Sequence, residues 1–357
     1  MRNTLIILVS LTVSSFVSLS QAEVRYSVTD LGTLGGDKSV AYAINDSGQV
    51  VGNSVTAGGD HHAFLYDGAV MNDLGTLGGN ESFAGGINNS GQIVGGSDIV
   101  GGGRHTFLYD GVSMTDLGTL GGDSAGGSDI NDSGQISGSS QIAGSHDHHA
   151  FLYDGTTMTD LGTFGGPISV ADAINSNGHI VGRSSGIYDS RAFLYDGTAM
   201  TDLGTLGGDS SSASDINNNG YVVGSSNTID SFNENAFLYD GVSMTNLGTL
   251  GGDRSVAEAI NDNGQIVGWS EIVPEDIIPH AFLYNDTEGL LDLNNLISQE
   301  SGWELLFAYD INLAGQIVGR GFIDGQEHAF LLTPVPEPAS LLLFGFGGLL
   351  FRRIRNS

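Results

Sequence analysis

Oxygen-bearing side chains recur at one position of a repeated motif, where they could bind a cation or the hydroxyl groups of a sugar. Each of them follows a Gly-Gly pair in segments of the form D-L-G-T-L-G-G-D. Carboxylate and amide oxygens suit hard cations such as Ca²⁺, whereas the same Gly-Gly-Asp run can serve only to make a turn. We favour the turn, and the candidate ligand-binding residues at this position are Asp37, Asn80, Asp123, Asp209 and Asp253.

Two other segments match the start of a calcium-binding loop of the form D-x-N-x-S/N-G. The acid that should close such a loop is missing, because Ser140 and Ser226 stand at its twelfth position. A hairpin turn is therefore the better interpretation, with no cofactor required and at most a weak Ca²⁺ site. The candidate metal ligands in the two loops are Asp129, Asn131, Ser133, Asp215, Asn217 and Asn219.

The histidines offer a third kind of site. Five of the nine hold the same repeat position, which predicts a packing or hydrogen-bonding role: His62, His105, His149, His280 and His328. The cluster His146, His148 and His149 could bind Zn²⁺ if two imidazoles converged with Asp147. A G-x-S-x-G match at 182–186 lacks the strand-to-helix context of a nucleophile elbow, and no other catalytic motif is present, so no catalytic residue is assigned.

The composition limits the partners that such sites could serve. The chain carries 41 acidic and 11 basic residues among 357, a formal net charge of −30. Such a surface repels nucleic acid phosphates and anionic membranes, so cations or a hydrated matrix are the expected neighbours. The absence of cysteine excludes disulfides and thiolate chemistry.

The elements that position these residues come from a repeat. Three markers each occur seven times with a period of about 44 residues: D/N-L-G-T-L/F-G-G, whose last copy is the altered DLNNLIS at 292–298, I-N-x-x-G, and A/T-F-L-Y/L. Each copy contains four short strands, here named a to d, and the Asn-rich turn between a and b ends in Gly, as hairpins require. Small residues in strand a predict an inner strand, and A-F-L-Y in strand c predicts the core. This pattern favours an all-β fold, a seven-bladed β-propeller.

The order of the strands predicts how the ring closes. A lone strand d, residues 26–34, precedes the first complete copy, while the last copy supplies a, b and c but no d. We therefore expect residues 26–34 to pair with strand c of the last copy, next to residues 328–332. The propeller would occupy residues 23–333.

Both ends of the chain are predicted to be targeting segments. Residues 1–22 are typical of a Sec signal peptide cleaved after Ala22. Near the C-terminus, a Pro-Glu-Pro motif precedes an apolar run too short to span a bilayer comfortably, and basic residues follow. This sorting segment, residues 334–357, contains Pro336, Glu337, Pro338, Arg352, Arg353 and Arg355.

Two resemblances follow from these motifs. The tail VPEPASLLLFGFGGLLFRRIRNS resembles the PEP-CTERM sorting signal, which implies export, transient contact with the inner membrane and processing by an exosortase in a Gram-negative bacterium. The body, through H-A-F-L-Y-D-G, D-L-G-T-L-G-G and I-N-x-x-G-Q-I-V-G, resembles the HAF family of extracellular repeats. That resemblance departs at Arg191, Asn235 and residues 292–298, and it implies no defined reaction.

The loops between strands b and c vary most between copies, and they share a face with the Gly-Gly-Asp segments. Variable loops on a repeated scaffold predict a binding face. We expect a non-enzymatic protein of the cell surface or exopolysaccharide matrix that binds a glycan, a cation or a protein there. The alternative is a polysaccharide lyase or hydrolase with an axial site, to be sought first around Trp269, Trp303 and Glu304.

Overall fold

A computed structural model describes residues 25–186, 189–229, 231–274 and 278–336. The signal peptide, Ala22 and the sorting residues beyond Pro336 lie outside this part of the chain. Within the described residues, no helix is both long enough and apolar enough to cross a membrane.

Strands account for nearly all regular structure in the described residues, which confirms the all-β prediction. The two exceptions are short 3-10 helices at Leu293–Asn295 and Gln299–Ser301. The strands are β1 Tyr26–Asp30, β2 Gly35–Ile44, β3 Val50–Thr56, β4 His61–Tyr66, β5 Met71–Asp73, β6 Gly78–Ile87, β7 Ile93–Ile99, β8 Arg104–Tyr109, β9 Met114–Gly118, β10 Gly121–Ile130, β11 Ile136–Ile142, β12 His148–Tyr153, β13 Met158–Asp160, β14 Ser169–Ile174, β15 Ile180–Ser185, β16 Ser190–Tyr195, β17 Met200–Asp202, β18 Gly207–Ile216, β19 Val222–Thr228, β20 Ser231–Tyr239, β21 Met244–Gly248, β22 Ser255–Ile260, β23 Ile266–Glu271, β24 Pro279–Asn285, β25 Gly289–Asp292, β26 Glu304–Ile311, β27 Ile317–Ile323 and β28 Gln326–Pro334.

Each copy of the repeat forms one antiparallel unit whose strands a to d are consecutive in the sheet. Unit 1 is β2–β5, unit 2 is β6–β9, and the series continues to unit 6, β22–β25, and unit 7, β26–β28. Units 7 and 1 are joined into one sheet by the parallel pair Lys38–Glu327, and units 2 and 3 by the pair Ser124–Arg104. None of the sheets closes on itself.

The N-terminal strand pairs where the order of the motifs predicts. Strand β1 runs antiparallel to β28, with Tyr26 opposite Pro334 and Asp30 opposite Phe330. The Leu31 backbone N–H extends the contact by donating to the Ala329 carbonyl at 3.0 Å. The first described strand therefore completes the sheet of the last unit.

The turn between strands a and b is built by its asparagine. In unit 1, the Asn45 side-chain oxygen accepts hydrogen bonds from the backbone N–H groups of Ser47 and Gln49. Gly48 has φ +81°, a conformation that glycine adopts without the steric cost a Cβ would bring. This confirms the predicted hairpin.

The Gly-Gly-Asp segments were expected as loops, but in units 1, 2, 3 and 5 they begin strand a. Glycine makes this possible, because a Cβ on Gly36 would lie 2.6 Å from Val55 of the neighbouring strand. The b–c loops are correspondingly shorter than the sequence suggests. In unit 1, residues 53–56 belong to β3, and only residues 57–60 connect β3 to β4.

The core lies between adjacent units. One cluster combines Ala43, Val51 and Ala63 of unit 1 with Ile93 and Phe107 of unit 2. The phenylalanine of every A-F-L-Y or equivalent segment is fully buried, as predicted for a core position: Phe64, Phe107, Phe151, Phe193, Phe237, Phe282 and Phe330. Stacked units of this kind leave their inner strands to line a common axis.

Candidate functional site

The inner strands of all seven units line one cavity of about 580 Å³. Each inner strand directs into it the residue that stands three positions before the asparagine of I-N-x-x-G. These residues are Tyr42, Gly85, Ser128, Asp172, Ser214, Glu258 and Tyr309. The strands start at the b–c side and end at the a–b turns.

The wall of this cavity is asymmetric although the repeats are similar. Units 3 and 5 contribute small residues, such as Ser128 and Ser214, whereas units 1, 4, 6 and 7 contribute aromatic or acidic ones. Two arginines, Arg104 and Arg183, complete the lining. Functional groups of different chemistry therefore converge in one place.

Asp172 carries a buried oxygen that has no hydrogen-bond donor among the described residues, its Oδ2. The closest cation is Arg183, whose Nη1 lies 4.0 Å away. Burial raises the pKa of Asp172 to about 7, and the Arg183 charge only partly opposes this. The Asp172 side chain as a whole is 28% exposed, so its carboxyl group reaches the cavity although Oδ2 itself is covered.

Glu258 is the second carboxyl group in the cavity. Its Oε1 accepts a hydrogen bond from the Trp269 indole N–H at 3.0 Å. Burial raises the pKa of Glu258 to about 7, and the nearby Asp172 charge adds to that rise. The charge of Asp172 thus acts on Glu258 within the same cavity.

Aromatic rings form the opposite part of the wall. Tyr42 and Tyr309 have ring centroids 5.3 Å apart, and Phe307 stacks on Tyr309 at 5.9 Å. Arg320 donates from Nε to the Tyr309 hydroxyl at 3.0 Å. Burial raises the pKa of Tyr309, so its hydroxyl keeps its proton. Trp303, in contrast, packs edge-on against the core residue Phe330 and does not line this cavity.

A narrower ring of aspartates follows towards the a–b turns. Asp129, Asp215 and Asp310 occupy one repeat position, where other units carry Ala or Gly. Each accepts a hydrogen bond from the N–H of the next residue at 2.7 Å, and another from an isoleucine of the adjacent inner strand at 2.8–2.9 Å. Burial raises all three pKa values, to about 7 for Asp215 and about 8 for Asp310.

This arrangement does not support the two calcium loops. The Asp129 and Asp215 oxygens bind backbone N–H groups, and Asn131 and Asn217 hold their own turns through Ser133 and Asn219. Among the described residues, no three His, Asp or Glu side chains are grouped to hold a metal ion.

The turn asparagines also join the units to one another. Each donates from Nδ2 to the backbone carbonyl of the next asparagine at 3.0–3.2 Å. The sequence of contacts is Asn45, Asn88, Asn131, Asn175, Asn217, Asn261 and Asn312, and Asn312 donates to Asn45.

The recurring histidines have the hydrogen-bonding role that their repetition predicts. Each Nδ1 lies 2.8–3.0 Å from the aspartate that begins D-L-G-T-L or its equivalent, as in the pair His328–Asp30 that joins the two ends. Where Arg191 or Asn235 stands in place of the histidine, a polar contact with the equivalent Asp or Asn is kept. Arg191 lies 3.8 Å from Asp202, and Asn235 pairs with Asn246.

The proposed zinc cluster is divided by these contacts. His149 is engaged with Asp160, whereas the His146 ring lies 3.3 Å from Gln141. His148, on β12, is not grouped with them as a metal site among the described residues.

The five Gly-Gly-Asp candidates lie exposed at or near the starts of five inner strands. Asn80 and Asp123 share one surface cleft of about 660 Å³ with Asp98 and Arg104. Asp37, Asp209 and Asp253 do not line that cleft, so ligand binding by the whole set remains a prediction.

The axial residues were not identified from the sequence as a group. Their signal is the variable position in the A-x-A-I-N pattern, which alternates between Tyr, Asp, Glu, Ser and Gly while its neighbours stay nearly constant. Aligning the copies would have exposed this position, but only the structure shows that it faces the axis.

Two family models match parts of the chain. One is described as "Protein of unknown function (DUF3466)" and matches residues 209–329, and the other is the PEP-CTERM protein-sorting motif, at residues 334–355. That motif is a signal for exosortase processing and implies export to a membrane-associated place at the surface of a Gram-negative bacterium. No curated protein matches this chain.

Several solved structures are similar to this chain at low identity. TolB from Acinetobacter baumannii has a TM-score of 0.42 and 12% identity over 84% of this chain, which spans 65% of TolB. YCF48 bound to D1 peptide has a TM-score of 0.49 and 11% identity, covering 88% of this chain and 97% of YCF48. A mutant of the Aleuria aurantia lectin, in complex with alpha-methyl-L-fucoside, has a TM-score of 0.38 and 11% identity, covering 71% of this chain and 93% of the lectin.

Proposed function

We propose that this chain is an exported surface protein, a closed seven-bladed β-propeller that binds a saccharide in its axial cavity. The match to the PEP-CTERM motif supports the export. A Sec signal at residues 1–22, HAF-type repeats in the body and a location in the exopolysaccharide matrix belong to the same proposal.

Contacts between the last and first units support the closed ring. Asn312 donates to the Asn45 carbonyl at 3.1 Å, the same contact that joins consecutive units elsewhere. The strand β1 adds a fourth strand to unit 7, so that every unit has four. A ring with no free end leaves no unpaired strand edge between its last and first units.

The asymmetry of the axial wall is the observation that carries the binding function. A ring that served only as a scaffold would have no need for Tyr, Asp and Glu at positions where Ser and Gly suffice. Aromatic rings pack against sugar faces, and carboxyl, hydroxyl and guanidinium groups recognise sugar hydroxyls. A concave cavity with a few converging polar groups is the usual form of such a site.

A glycan array and equilibrium titration with the full-length protein test this proposal. The variants Tyr42→Ser and Tyr309→Ser place in the wall a residue that units 3 and 5 already carry, so the fold should tolerate them. We expect each to weaken saccharide binding about tenfold or more, since each removes a stacking surface. Unchanged binding in both would exclude the axial cavity and favour the b–c loop face.

An axial enzyme is the second candidate, and Asp172 and Glu258 favour it. Two carboxyl groups with pKa values near 7 in one cavity are suited to general acid–base chemistry. The test is the release of new reducing or unsaturated ends from exopolysaccharide, with Glu258→Gln as the comparison. Ends released by the unmodified protein and lost in the variant would establish catalysis, and no release by either would favour binding alone.

A further inference from the structure

Among the oxygen atoms of the axial cavity, Asp172 Oδ2 is shielded from solvent and lacks a donor among the described residues. A buried acceptor without a donor is destabilising, because it has lost its hydrogen bonds to water. That cost is removed when a bound molecule supplies an N–H or O–H group. The Asp172 side chain is 28% exposed, so a ligand in the cavity can donate to its carboxyl group.

Two of the cations around the cavity, Arg104 and Arg320, are occupied by protein acids, while the third, Arg183, lies 4.0 Å from Asp172. Arg104 binds Asp98 at 3.0 Å and Glu81 at 3.1 Å. Arg320 is held by Glu327 and by the Tyr309 hydroxyl. An anionic sugar such as a uronate would have to compete with these carboxylates, in a chain whose net charge is −30.

In contrast, neither carboxyl group of the cavity has a cation within hydrogen-bond distance among the described residues. Asp172 has only Arg183, at 4.0 Å, and Glu258 has the neutral Trp269 indole as its hydrogen-bond donor. Two such acids in one cavity attract positive charge. A sugar with a free amino group would supply both a hydrogen-bond donor and a positive charge beside these two carboxyl groups.

We infer that the saccharide in the axial cavity is an amine-bearing one, and that its ammonium group binds Asp172, with Glu258 as a second carboxylate. This inference rests on the proposed saccharide binding. The aromatic wall formed by Tyr42 and Tyr309 would contact the sugar rings, while the small residues of units 3 and 5 leave room for them.

The pH dependence of binding follows from the groups that face Asp172. These are Arg183, Arg104, Glu258 and the two tyrosines. Burial raises the pKa values of Asp172 and Glu258 to about 7. The ammonium group binds the ionised form, so affinity should rise from pH 5 for as long as the sugar amine, which itself loses its proton near neutral pH, stays charged.

The experiment titrates the full-length protein with two tetrasaccharides that share one skeleton, glucosamine tetramer and N-acetylglucosamine tetramer. The variant Asp172→Ser tests the carboxylate, since Ser128 and Ser214 occupy its position in other units. The matched control is Glu304→Gln, which removes one negative charge at an exposed site away from the cavity. Loss of binding in the variant Tyr309→Ser would show that a given sugar, acetylated or not, binds in the cavity.

We expect the glucosamine tetramer to bind about tenfold or more tightly than its acetylated counterpart, and Asp172→Ser to abolish that preference while Glu304→Gln keeps it. Equal or tighter binding of the acetylated sugar, still lost in Tyr309→Ser, would overturn the inference and leave the axial saccharide site intact. A preference for glucosamine that survives in both Asp172→Ser and Tyr309→Ser would be nonspecific charge attraction and would overturn both. Binding of neither sugar would overturn the inference.

Discussion

Ring closure can be tested by one pair of equivalent leucines. Leu31 follows β1 and packs in the cluster between unit 7 and unit 1, with Leu331 on one side and Phe64 on the other. Leu203 holds the same repeat position between units 4 and 5. The two side chains are 5% and 9% exposed, so the same substitution should have the same cost at both places if the ring is closed.

The magnitude follows from burial. A Leu→Ala change at a fully buried site costs about 3 to 5 kcal/mol, through lost transfer energy and a residual cavity. Both leucines lie near the surface end of their clusters, which places the expected loss near the lower value, about 3 kcal/mol. For a chain of this size that loss lowers the melting temperature by roughly 5 °C.

The assay is urea unfolding of Leu31→Ala and Leu203→Ala, with the slope of the transition compared to show that both variants unfold from the same folded state. A closed ring predicts equal losses in the free energy of unfolding. If Leu31→Ala costs less than about 1 kcal/mol while Leu203→Ala costs the full amount, the N-terminal strand is not held in the ring and the closed propeller is wrong.

Three further predictions concern pH, packing and processing. Burial raises the pKa values of Asp215 and Asp310, so their contribution to stability is complete below the usual carboxyl pKa of about 4 and is lost as the pH rises to about 8. The variants Asp215→Ala and Asp310→Ala should therefore show a smaller fall in unfolding free energy across a pH series. An unchanged pH dependence would contradict the assignment. A Cβ at Gly138 would collide with the Gly126 carbonyl oxygen, whereas a Cβ at Gly126 would meet open space. In urea unfolding, Gly138→Ala should therefore lower the free energy of unfolding by about 3 kcal/mol, and Gly126→Ala should hardly change it. Equal losses in the two variants would refute this. In a host with an exosortase, intact-mass measurement of surface-extracted protein should find residues 341–357 removed, and their retention would argue against processing.

Much of the architecture could be predicted from the sequence, because the motifs that specify the strands and turns are short and recur in every repeat. Hairpins at I-N-x-x-G follow from residue types that tolerate left-handed backbone. The buried phenylalanines follow from the apolar pattern of strand c. The pairing of β1 with β28 followed from strand order alone, since a missing strand at one end matched an extra one at the other.

Two features could not be predicted from the sequence, one because it depends on steric fit between strands and one because it depends on contacts between units. The Gly-Gly-Asp segments were expected as loops because glycine usually marks turns, but here the missing side chains let strand a extend beside Val55. The sequence favoured a hairpin over a calcium loop at Asp129 and Asp215, but local spacing does not reveal that their oxygens accept hydrogen bonds from isoleucines of adjacent units.

The sequence by itself determined the repeat, its strands and the core phenylalanines, because each of these depends on residues within one unit or on identical neighbours, and it indicated a packing or hydrogen-bonding role for the recurring histidines without naming their partners. Only the tertiary structure decided the site. Asp172 and Glu258 lie in units 4 and 6, and Tyr42 and Tyr309 lie near opposite ends of the chain. They meet because the inner strands surround one axis, and no local pattern records which face of a small-residue strand looks towards that axis. The chemistry of the cavity arises from differences among copies that folding brings together.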